Sequence, residues 1–502
     1  MTPRAAEASR PAAAGPLVEV REVGRVKSVR ELIARIVGLP SCMNGQMVEF
    51  SNGARGMVMG FTEQEVQVLV FGGKGTIRAG DEAQSRGEEF QVPVGEAFVG
   101  RIVNSLCEPL DGRGPIASAD RYPVFNEAAG LMERLPVDQT METGIRVLDA
   151  VIPIAKGQRQ LILGDRMTGK TTLGVDAILN QKDHGTICIY CCTGKPYSSL
   201  VKLVRLFEAR GAMDYTIIVS APASTPVGEQ YLSPYAAATL GEYFMRHGKD
   251  VLVVFDDLTR HAWVYRQLCL LLERAPGREA YPGDIFYIHS QLVERAGYLN
   301  KDFGGGSMTF FPICDILQGD VTGFIPSNLV SMTDGQLYLS TTLFNKGIKP
   351  SIDFGLSVSR IGSKAQWKAM KELSGRLRLE YVQYQELLQM TQLKTNLSAE
   401  AEMRLKRGEA ITQLILQDKN RPVPMEDQIA QLYALRKGLL DELTPAQLKQ
   451  FKADYPAALR RLAPESVTQL RQQKVLTPEI KAAFDSALKQ YLQDALKREG
   501  PG

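Results

Sequence analysis

The chain has 502 residues, 44% of them hydrophobic and 23% charged, with a net charge of +3. This is ordinary globular composition, enough for about three domains, and too weakly basic to make nucleic acid the main partner. Seven cysteines, an odd number scattered from Cys42 to Cys314, read as reduced thiols of a cytosolic compartment, and no run approaches the ~18 apolar residues of a membrane span.

Residues 1–17 are rich in Ala and Pro and are expected to be disordered. They lack the apolar core of a signal peptide. From 18 to 90 the texture is β. MVEF (47–50) and MVMGF (57–61) flank Asn52-Gly53, a hairpin signal, and Val66, Val68 and Val70 alternate onto one strand face. Short strands with regular turns predict a small barrel. From 91 to 365 strands alternate with helices, as in a mostly parallel α/β sheet. Strands are expected at 160–164, 186–192, 215–221 and 250–257, the last three as apolar runs covered on both faces. Cys188 and Cys191 form a CxxC inside such a run and read as core residues rather than as a metal or redox pair. From 366 to 502 the texture is helical. Leu373, Leu377, Tyr381, Tyr384 and Leu388 mark one helix face, and Thr444-Pro445 and Thr477-Pro478 read as helix starts.

GDRMTGKT (164–171) matches the pattern GxxxxGK[ST] between a strand and a helix. Its backbone N–H groups and the helix N-terminus suit phosphate oxygens. The nucleotide-binding residues expected here are Gly164, Asp165, Arg166, Met167, Thr168, Gly169, Lys170, Thr171 and Thr172. Lys170 supplies a charge to the β- and γ-phosphates, and the Thr171 hydroxyl suits Mg²⁺. VLVVFDD (251–257) is the matching acidic strand, with Asp256 as the second expected Mg²⁺ residue.

The segments DDLTRHAWVYRQ (256–267), PGREAYPGDIFYIHSQLVERA (276–296), FIPSNLVSMTDGQLYL (324–339) and NKGIKPSIDFGLSVSRIGSKAQ (345–366) resemble the alpha subunits of F-type ATP synthases. METGIRVLDAVIPIAKGQRQLILGDR (141–166) fits the same family. The resemblance implies a multidomain protein: an N-terminal β-barrel (18–90), a central α/β RecA-like P-loop domain (91–365) and a C-terminal helical bundle (366–502). It implies ATP or ADP with Mg²⁺ as ligands, and an alternating ring with the beta subunit around a gamma subunit. It also implies a peripheral stalk and a peripheral place on the cytoplasmic face of the bacterial membrane, in synthesis or hydrolysis coupled to proton or sodium transport. No nucleic acid and no direct membrane insertion are expected. The tail, broken by Pro3, Pro11 and Pro16, resembles that of a divergent, sodium-linked branch without a delta subunit.

Within such rings only beta hydrolyses nucleotide. Its activating Glu follows a Gly at the end of the second core strand; here CCTGKPYSS (191–199) carries Lys195 instead. The family usually has Gln at both 167 and 195, so Met167 and Lys195 are departures. By resemblance Gln417 and Lys419 contact the adenine side. Arg360 crosses to the beta site, and Ser357 and Ser331 flank that interface. Two rivals stand beside this reading. A self-sufficient hexameric ATPase needs a carboxylate at 195. An RNA-translocating helicase needs aromatics interleaved with basic residues in the barrel, where only Phe50, Phe61, Phe71 and Phe90 occur.

Overall fold

The computed structural model describes residues 22–72, 77–391, 398–441 and 443–498; the tail expected to be disordered lies outside them. The protein divides into two compact units, one ending at Phe90 and the other beginning at Gln91.

The first unit is a closed antiparallel barrel. Its strands are β1 (Glu22–Arg30), β2 (Ile33–Val37), β3 (Gln46–Phe50), β4 (Arg55–Phe61), β5 (Val66–Phe71) and β6 (Glu82–Glu89), ordered β1-β2-β5-β4-β3-β6. The hairpin signal holds: β3 pairs with β4 with Glu49 opposite Arg55, and Gly53 takes φ 80 in the turn. There the Asn52 Oδ1 accepts from Ala54 N at 2.9 Å. The shared face of β5 holds: Val66, Val68 and the partly buried Val70 pack on the barrel core. Leu69 and Phe71 on the other face are buried as well, and the Phe71 ring lies 5.0 Å from that of Phe90.

The second unit is built on a central sheet. Its strands are β7 (Ile102–Val103), β8 (Leu161–Gly164), β9 (Ile187–Thr193), β10 (Thr216–Ala221), β11 (Asp250–Asp256), β12 (Ser307–Asp315), β13 (Gly335–Leu339) and β14 (Val358–Ser359). The order is β14-β13-β8-β12-β11-β9-β10-β7, with the short strand Gly297–Tyr298 paired to β12. All neighbours in that order are parallel except β13 and β14. The four expected strands are present. The central strand β12, SMTFFPICD, is an addition, and eight of its nine residues are buried.

Among the helices that follow are Lys368–Ser374, Leu377–Thr391, Met425–Arg436 and Pro445–Leu462. The single face expected from Leu373 to Leu388 is divided between the first two, because the helix breaks at Gly375 and Arg376. Thr444 caps as expected: its Oγ1 accepts from Gln447 N at 3.4 Å, and its own N–H donates to the Gln447 side chain at 3.0 Å. One apolar core runs through the unit, from Ile162 and Val254 in the sheet through Trp367 to Phe451 and Phe484. Cys188 and Cys191 are fully buried in β9, as a core strand requires. No helix of the described residues is long and apolar enough to cross a membrane.

Candidate functional site

The phosphate loop leaves the C-terminal end of β8, where ligands sit in open α/β sheets. Gly164 is packed so tightly that a Cβ would lie 2.7 Å from Thr168 Oγ1 and 2.9 Å from Leu339 Cβ. Met167 (φ 66) and Gly169 (φ 104) turn the backbone through left-handed conformations. The helix Lys170–Leu179 then begins with no side-chain cap, so its first N–H groups stay available to an anion.

Neighbouring groups hold the loop. Thr168 Oγ1 donates to Asp165 O at 2.8 Å, and Ser351 Oγ donates to Thr168 O at 3.0 Å. The Asp165 carboxylate accepts from Gly319 N at 3.1 Å and from Thr341 Oγ1 at 2.8 Å. Lys170 is buried and folded back on the loop. Its ammonium donates to Gly164 O at 2.8 Å and to Asp165 O at 2.6 Å, and it pairs with Asp315 Oδ1 at 2.9 Å. Arg166 is exposed, 3.8 Å from the same carboxylate. Met167 is 89% exposed at the tip, and Thr172 is half-buried.

Behind the loop Asp256 is fully buried at the end of β11. Its Oδ2 accepts from Thr171 Oγ1 at 2.7 Å and from the Tyr190 hydroxyl at 2.6 Å. Its Oδ1 forms an ion pair with Lys195. Lys195 Nζ also donates to Thr171 Oγ1 at 3.1 Å, which closes a triangle of ammonium, hydroxyl and carboxylate. Burial alone pulls the Lys195 ammonium down, but the Asp256 and Asp257 carboxylates outweigh it and the pKa is raised. Burial and the Asp256 charge push Asp257 up to about 7, against the pull of Lys195. The loop carrying Lys195 is fixed at its backbone. Gly194 sits at φ 66, its carbonyl accepts from Arg260 Nη1 at 2.5 Å, and Lys195 O accepts from Ala223 N at 2.9 Å.

The structure thus brings Gly164 to Thr171, Asp256 and Lys195 together. Tyr190 and Asp315 belong to the same cluster and had no sequence signal of their own, one lying inside an apolar run and the other ending an unrecognised strand. The turn holding Gln417 and Lys419 lies beside the loop's helix, because Asn420 N donates to Asp176 Oδ1 at 2.7 Å. The Gln417 amide is committed to backbone groups: it donates to Gly144 O at 2.8 Å and Arg421 O at 2.9 Å, and accepts from Arg146 N at 3.0 Å. Lys419 is exposed.

Arg360 lies elsewhere. In β13, Gly335 pairs with Ser359 of the edge strand, whereas Leu339 pairs with Gly164 of the phosphate loop. The four residue steps from Gly335 to Leu339 span about 13 Å. Arg360 therefore leaves the sheet at the end opposite its own loop. It is exposed, its N–H donates to Asp334 O at 2.9 Å, and its Nη1 donates to Thr333 O at 3.3 Å. Ser357 is fully buried, with its hydroxyl accepting from Tyr338 N at 2.9 Å and its carbonyl accepting from Arg378 Nη2 at 3.1 Å. These bonds fasten the segment that carries Arg360 to β13 and to Arg378. Ser331 is exposed and donates to Asn328 O at 2.6 Å.

Three family models match this sequence. The beta-barrel domain of the ATP synthase alpha/beta family covers residues 19–87, and its nucleotide-binding domain covers 144–359. The C-terminal domain described for ATP synthase alpha/beta chains covers 366–491. Two relatives, each named ATP synthase subunit alpha, are 44% identical to this protein. One, from Petrotoga mobilis, aligns over 94% of this sequence and 95% of its own length. The other, from Clostridium botulinum, aligns over 95% and 96%.

Proposed function

The chain belongs to the ATP synthase alpha/beta family, among the alpha subunits of the F-type enzyme, and from that premise we propose that it binds nucleotide without hydrolysing it. Hydrolysis needs a group that orients or activates the attacking water. The position that would carry a carboxylate for this holds Lys195, an ammonium tied to Asp256. That ion pair is the observation that carries the reading. A charged ammonium accepts no proton, and the carboxylate beside it is already neutralised. The self-sufficient ATPase reading fails on the same residue.

The loop from Gly164 to Thr172 cradles the phosphates of ATP or ADP, with the turn at Gln417 and Lys419 beside the base. Lys170 exchanges Asp315 and its two carbonyls for phosphate oxygens. Arg360 serves the site of a neighbouring beta subunit, and Ser357 positions the strand from which it projects. The partners are beta subunits in an alternating ring, gamma in the central cavity and a peripheral stalk. The complex couples to ion transport at the cytoplasmic face of a bacterial membrane.

The purified full-length protein is expected to bind ADP or ATP by calorimetry and to release no phosphate beyond a single bound equivalent. Sustained release that disappears with Lys170→Ala would overturn the reading. Met167 offers the phosphates no donor. Met167→Gln is expected to tighten binding by up to about 1.5–3 kcal/mol, the worth of one hydrogen bond to a charged group. Unchanged affinity in the same titration would remove that role from position 167.

The expected Mg²⁺ residues fit a divalent ion poorly as they stand. The Thr171 hydroxyl donates to Asp256 and accepts from Lys195, and both Asp256 oxygens already have partners.

A further inference from the structure

We propose that Lys195 is a built-in cation standing where a divalent metal would act, so that this protein binds nucleotide without Mg²⁺. The inference rests on the reading of the loop as a nucleotide site and concerns how that site is charged. In a phosphate loop the hydroxyl after the Lys and the acid of the neighbouring strand are the two protein groups that face the metal. Here they are Thr171 and Asp256, and one ammonium engages both.

Three features make this a built arrangement. Asp256 is fully buried, and the Lys195 side chain is only 19% exposed, so the pair is shielded from water. The backbone at Lys195 is held in place, because Gly194 is fitted against its neighbours: a Cβ there would lie 3.1 Å from Gln230 Oε1 and 3.2 Å from the Arg260 side chain. The strand register places the two residues together, since Cys192 pairs with Asp256 three residues before Lys195. A divalent ion seated on Thr171 and Asp256 would meet a fixed positive charge at hydrogen-bond distance. The ammonium instead adds its own charge beside that of Lys170, near the loop's phosphate position. It is monovalent and donates hydrogen bonds, whereas a metal ligates oxygens, so it serves binding and not turnover.

The test titrates ADP into the full-length protein in EDTA and in excess Mg²⁺, with Mn²⁺ paramagnetic resonance in parallel. The wild-type affinity is expected to agree within about threefold between the two buffers, with no Mn²⁺ bound beyond what free ADP holds. Lys195→Gln is expected to lose at least about tenfold in EDTA, to recover in Mg²⁺, and to bind one Mn²⁺ per nucleotide. Lys195→Arg, which keeps a monovalent cation, is expected to stay metal-independent. Wild-type binding that weakens about tenfold or more in EDTA, or one Mn²⁺ per nucleotide in the wild type, would overturn the proposal. If Lys195→Gln lowers the melting temperature so far that it is unfolded, the wild-type pair of titrations still decides the matter. Binding in neither buffer would overturn the nucleotide site itself, which separates that failure from this one.

Discussion

Replacing Arg360 with alanine is expected to slow ATP hydrolysis by the assembled headpiece about 10³- to 10⁵-fold, the usual worth of an arginine supplied to a phosphoryl-transfer site from outside it. Through the rate expression this is about 4–7 kcal/mol of barrier. The γ-phosphoryl transition state spreads negative charge over its equatorial oxygens, and a planar guanidinium can bridge two of them. Arg360→Lys keeps the charge but loses that fork, so it is expected to recover little. Nucleotide bound at this subunit's own loop is expected to be unaffected, because β13 separates Arg360 from Gly164 by its full length. Steady-state hydrolysis and nucleotide occupancy, measured separately on reconstituted headpieces, check both halves. Turnover within about tenfold of wild type would remove Arg360 from the reaction.

The second large effect concerns stability. Arg295 is 1% exposed and makes a bidentate pair with Glu242, with both nitrogen–oxygen distances at 2.7 Å. It also donates to Val124 O at 2.8 Å and to Thr239 Oγ1 at 2.9 Å. One guanidinium thereby joins three segments far apart in sequence. Arg295→Met leaves the Glu242 carboxylate buried without its counter-charge, and breaking such a pair typically costs about 3–5 kcal/mol. The denaturant midpoint of the variant is expected to fall accordingly. Arg295→Met combined with Glu242→Leu removes both charges and is expected to recover most of the loss. A single variant with an unchanged midpoint would show that water reaches Glu242 after all.

The parts of the site legible in the sequence are those carried by contiguous residues. Gly164 to Thr171 announces its loop through glycine spacing, and Asp256 through the apolar run before it. The strand β12 was not legible: Pro312 interrupts it, and proline argues against a central strand because it gives up a ladder donor. With that strand went Asp315, the carboxylate that holds Lys170. The helix face read across Leu373 and Leu377 has the right residues buried, but periodicity carries no sign of the break at Gly375. Lys195 was visible as a missing carboxylate. Its pairing with Asp256 was not, because the register of two parallel strands decides which residues meet at their ends, and that is a property of the folded sheet. Ser357 shows the reverse limit. Resemblance places it beside an interface, whereas its hydroxyl is buried and accepts from Tyr338 N of the same chain.

The division of labour between this subunit's loop and its arginine is tested most directly by the initial rate of ATP hydrolysis in headpieces carrying Lys170→Ala, with labelled nucleotide counted on this subunit. A binding site that does no hydrolysis predicts that the label is lost while the initial rate stays within about tenfold of wild type. An initial rate that collapses to the level of the Arg360→Ala headpiece would contradict the account.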